Sequence, residues 1–135
     1  MRALRWLVLI PACLALLCLF FAGTVATHYL VEQNLCPAAA FDRGICNHRG
    51  MAFALKALLH VSMAMAVLGV GMAAVWIAPS GKRQVLSATL AVLMLSAGYF
   101  GYAGNAWSLF AAALVGAAVA ATAILRFLRL CAPAT

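Results

Sequence analysis

The stretch CPAAAFDRGIC places Cys36 and Cys46 on either side of an acid, Asp42, and a base, Arg43. Three chemistries are open to such a cysteine pair. A redox-active dithiol needs an activated thiolate, supplied by C-x-x-C spacing or a helix N-terminus. Nine intervening residues supply neither. A metal centre built from Cys36, Cys46 and His48 lacks a clear fourth ligand. A structural disulfide needs only an oxidising compartment, and closing so short a loop stabilises a fold by about 2–3 kcal/mol. The spacing therefore predicts a Cys36–Cys46 disulfide that staples an exposed loop. The other cysteines, Cys13, Cys18 and Cys131, lie in or beside apolar runs and read as small apolar fillers.

A second group of reactive types sits in MAFALKALLHVSMAM, residues 51–65. Lys56 and His60 are four residues apart and share one helical face. At the helical rise they lie about 8 Å and about 14 Å from the start of this apolar run. The lysine can extend its ammonium towards water. The histidine cannot, so it must face other helices, either satisfied there or serving as a ligand, proton or quinol-binding group. His28, Tyr99, Tyr102 and Asn105 fall in the same half of their runs. With Lys56 and His60 they form a candidate intramembrane polar site, in which the cation suits a lipid phosphate or a carboxylate. Ser108 flanks it, and Trp107 fits an interfacial belt.

Several chemistries are set aside. Bis-histidine haem ligation needs equal depths, whereas His28 and His60 differ by roughly 10 Å. Met63 and Met65 point to different faces of a helix, which suits core packing better than copper. Ion-coupled carriers keep acids within their spans, and here both acids, Glu32 and Asp42, lie between runs. Nucleophile–base pairs, phosphate loops and zinc motifs are missing from the sequence. The expectation is a protein without catalytic residues, metal or cofactor.

The elements that must carry these residues are long apolar runs. The chain of 135 residues is 68% hydrophobic and 8% charged, against roughly 25% charged in a soluble domain. Four runs, at about 6–29, 51–77, 85–102 and 106–128, each approach the length that crosses a bilayer. They are broken by the polar segment from Glu32 to Gly50, by PSGKRQ at 79–84, and by a tight turn at Gly104 and Asn105. The expected fold is all-α: one polytopic membrane domain spanning 1–135, a bundle of four transmembrane helices with an extracytoplasmic loop at about 30–50. The net charge of +7 does not indicate nucleic acid, because the cations sit in pairs at the ends of apolar runs.

Orientation follows from those pairs. Arg2 and Arg5, Lys82 and Arg83, and Arg126 and Arg129 all fall on one side of a four-span protein, predicted to be the cytoplasm. Both termini are then cytoplasmic, and the cysteine loop faces the exterior. A cleaved signal ending near Thr27 is disfavoured by the length of its apolar part.

Small residues recur in the fourth run at Ala112, Gly116 and Ala120, flanked by Ala113, Ala117 and Ala121. Such faces let helices approach closely. Four short spans leave little room for a cavity. The expected function is that of a non-catalytic accessory or regulatory subunit, bound to a larger integral membrane protein in a bacterial inner membrane. Its expected recognition surface is the outer loop, with Glu32, Asp42, Arg43 and Arg49. A small dimeric carrier or lipid-handling protein using Lys56 and His60 is the alternative. An immunity protein against a pore-forming toxin is a further one, by analogy of architecture alone.

Overall fold

The computed structural model describes residues 2–42, 45–46 and 48–130. Its elements are helix α1 (Arg2–Leu35), a single 3-10 turn (Ala38–Ala40), strands β1 (Phe41–Asp42) and β2 (Ile45–Cys46), and helices α2 (Arg49–Ile77), α3 (Lys82–Ala103) and α4 (Trp107–Leu130). All four helices are long and apolar enough to cross a membrane. Arg43 and Cys131 lie outside the described residues, as does the side chain of Asp42.

Helix α1 runs on past the apolar stretch expected to end at Tyr29 and stops at Leu35. Helicity does not require apolarity, and Glu32 and Gln33 are good helix formers. Pro11 lies inside α1 without ending it, at the loss of one backbone hydrogen bond. Between α2 and α3 the backbone turns through Gly81 at φ 63°, a left-handed conformation that glycine adopts without steric cost. Between α3 and α4 it turns through Asn105 at φ 50°, a residue type that tolerates this region. There the Gly104 amide donates to the Phe100 carbonyl at 2.9 Å, and the Ala106 amide to the Gly101 carbonyl at 2.9 Å.

Helix α2 is the centre of the molecule and packs against α1, α3 and α4, while α3 and α4 pack on each other. One core cluster joins Val75, Leu86, Ala120 and Ile124; a second joins Val67, Ala97 and Ala113. A third, of Ala74, Ala78 and Val85, receives Leu9 and Cys13 from α1. The closest approach is between α2 and α4. A Cβ on Gly116 would stand 2.5 Å from the Ala64 carbonyl oxygen, so only glycine permits this separation. Helix α1 leaves more of its surface uncovered. Phe20 lies over Gly69 of α2, yet no residue in the most apolar stretch of α1 is buried, against 33% of that stretch in α2. The arrangement is a trio of α2, α3 and α4 with α1 laid along α2.

Candidate functional site

The cysteine loop is built from the end of α1. Cys36 follows that helix directly, and Cys46 ends the short antiparallel pair in which Phe41 faces Cys46 and Asp42 faces Ile45. The two cysteines form a disulfide with Cα atoms 5.9 Å apart, within the range such bonds adopt. Glu32, one helical turn before Cys36, reaches across to the same strand. Its Oε1 accepts the Cys46 backbone N–H at 2.9 Å. Its Oε2 lies 3.7 Å from His28 Nδ1, one turn further back on α1, where a proton on His28 completes an ion pair. A covalent bond and a charge-assisted hydrogen bond thus clasp one strand to one helix. Oε1 is thus engaged within the chain, and Oε2 faces His28. Of the residues expected on the recognition surface, Arg49 is exposed in the first turn of α2.

Lys56 and His60 lie on α2 eight and four residues before Ala64, one turn apart on the same side of the helix. Lys56 is exposed and His60 half-buried. His60 Nδ1 is 2.6 Å from the Lys56 carbonyl oxygen. A carbonyl only accepts, so Nδ1 donates, and Nε2 of the neutral ring is left as an acceptor. The helix itself therefore satisfies half of the ring. Serine and threonine hydroxyls do likewise: Thr24, Thr27, Ser62, Ser87, Ser96 and Thr122 each donate to a carbonyl three or four residues earlier. Such bonds remove the need for a polar partner on a neighbouring helix.

The remaining members of the expected polar site are dispersed. His28 is committed to Glu32 on α1, which packs on α2. Tyr99 and Tyr102 on α3 are 68% and 78% exposed, and Asn105 is exposed in the turn. Trp107 packs edge-on against Phe110, above Gly101 of α3. On α4 the buried stripe runs Ala113, Gly116, Ala120 and Ile124, with Ala112 half-buried beside it. Cys13 packs into the third core cluster, whereas Cys18 is exposed on α1. Among the described residues, no three His, Cys, Asp or Glu side chains converge as a metal site would require.

No family model, curated protein or solved structure matches this chain. Its function has to follow from the geometry. Two features stand out: the clasp at the end of α1, and the Lys56–His60 pair above the α2–α4 crossing. The sequence flags His28 and Glu32 only through their spacing of four. The bond from Glu32 to the Cys46 amide has no sequence signal, because it joins a helix to a strand of two residues.

Proposed function

We propose that the protein is a non-catalytic accessory or regulatory subunit of a larger membrane assembly, resident in a bacterial inner membrane with both termini in the cytoplasm. The observation that carries this reading is the apolar surface that α1 leaves uncovered. One flank rests on α2, and the rest of an apolar helix is open to a neighbour: Leu7, Leu19 and Phe21 are each more than 70% exposed. The clasped loop at its outer end offers a preorganised recognition element, since the disulfide and Glu32 restrict its conformations before any partner arrives. The cation pairs at the opposite end support the orientation.

The test is purification of the tagged full chain from its native host in mild detergent, with mass spectrometry of companions. A membrane partner at constant ratio is the expected result. A lone protein or a homodimer carrying lipid would overturn the subunit reading. It would favour a small carrier, for which the Lys56–His60 pair on one side of α2 is the specific support. In that case Lys56→Ala with His60→Ala abolishes function while expression persists.

A further inference from the structure

The fold assembles one strongly basic end. Val75 of α2, Leu86 of α3, and Ala120 and Ile124 of α4 share a cluster, and Leu9 and Cys13 of α1 pack against Ala74, Ala78 and Val85. The start of α1, the link between α2 and α3, and the end of α4 are therefore at the same end. Six of the nine Lys and Arg residues fall there: Arg2, Arg5, Lys82, Arg83, Arg126 and Arg129. Both acids belong to the far end, Glu32 near the end of α1 and Asp42 in β1. Six units of the formal charge of +7 are thus concentrated at one end. Lys82, Arg83 and Arg126 are exposed, and among the described residues the one ion pair is His28 with Glu32. The chain supplies no counter-charge to these cations among the described residues.

Just inside this end the surface changes character. Met72, Ala73 and Trp76, in the last turns of α2, line a shallow apolar groove, and Trp76 is 88% exposed. Gly81, Lys82, Arg83 and Gln84 line an open concavity where α3 begins. Cations at a rim, an amphipathic tryptophan at interfacial depth and an apolar groove running inwards fit a molecule with an anionic head and acyl chains. A nucleic acid or an acidic protein would satisfy the cations and leave the groove unused.

We propose that this end selects anionic phospholipids, with the headgroup phosphate at Lys82 and Arg83 and an acyl chain along Met72, Ala73 and Trp76. The inference rests on the reading that the four helices span a bilayer. Each cation near an anionic surface favours such lipids by about fivefold.

The experiment uses the full chain in phosphatidylcholine vesicles with a minor fraction of phosphatidylglycerol, one lipid or the other carrying brominated acyl chains that quench tryptophan. A variant with Trp6→Phe and Trp107→Phe leaves Trp76 as reporter; one with Trp6→Phe and Trp76→Phe leaves Trp107 at the opposite end. Brominated phosphatidylglycerol should quench Trp76 several-fold more, per mole, than brominated phosphatidylcholine. Trp107 should show near parity. Lys82→Gln with Arg83→Gln should lower the preference at Trp76 to near parity, and raising the salt to about 0.5 M should weaken it in the unaltered chain. Equal quenching of Trp76 by both lipids, or an equal preference at Trp107, overturns the inference. Alkaline extraction separates the two levels. A chain retained in both membranes without lipid preference sinks this inference alone. A chain extracted from both sinks the spanning reading and this inference with it.

Discussion

Gly116 is where one atom decides the packing. Its missing Cβ lets α4 rest on the backbone of Ala64, and a methyl group there would lie 2.5 Å from a carbonyl oxygen that cannot swing aside. Gly116→Ala should therefore cost about 1–3 kcal/mol as the helices are forced apart. Gly23→Ala is the control: no atom lies within 4 Å of its Cβ position, and α1 should gain slightly from the better helix former. Unfolding of both variants in mixed micelles checks the pair, and equal losses would contradict the described crossing. Glu32 gives a second prediction. Glu32→Gln keeps an oxygen for the Cys46 amide, whereas Glu32→Ala leaves a buried N–H unpaired, worth about 1–3 kcal/mol locally. Hydrogen exchange at the Cys46 amide should accelerate roughly tenfold or more in the alanine variant and little in the glutamine variant. Comparable exchange in both would mean that the carboxylate does not hold the strand. At this scale the sequence was legible where spacing alone sufficed, as for Cys36 with Cys46. It was silent where a contact depends on how two helices meet, as for Ala64 with Gly116.

The helices were legible as elements, and their ends were not. The run from about residue 6 to 29 marked a crossing length, but α1 continues to Leu35. Likewise α3 begins at Lys82 rather than near Val85, because Lys, Arg and Gln extend a helix as readily as they flank a membrane. The strands of the clasp leave no mark on the sequence, because two residues each carry no periodicity. Their register is instead held by the disulfide and by Glu32. Replacing Cys36 and Cys46 by serine should release that segment at a cost of about 2–3 kcal/mol, with helix content by circular dichroism unchanged and limited proteolysis at Arg49 faster. Proteolysis at the wild-type rate would show that the loop is ordered without its bond.

How the helices assemble was the least legible level. Apolar residues surround α1, α2 and α3, so periodicity does not tell which flank meets protein and which meets lipid. The small residues of α4 were the exception, since closeness itself selects them. The expected polar site needed six residues on four segments to converge, and that depends on helix rotation. With His28 drawn to Glu32 and the tyrosines of α3 exposed, Lys56 and His60 are left on one stripe of α2. At this scale the proposed orientation can be tested directly. Topology reporters fused at either terminus should be active in the cytoplasm, and one inserted between Cys36 and Cys46 should be active outside. Termini on opposite sides would remove both the orientation and the placement of the clasp.

The length of α1 has a mechanical consequence. Thirty-four helical residues make a rod about 51 Å long, well beyond the roughly 30 Å of a hydrocarbon core. The rod is seated mainly along α2 and carries a clasped tip. A change in its tilt of about 10° about Phe20, small beside the range such helices adopt, would sweep that tip sideways by roughly 4 Å. Helix α1 is thus a lever, with its fulcrum where Phe20 bears on Gly69. Motion imposed on one arm by a neighbouring protein would be read out at the clasped end of the other.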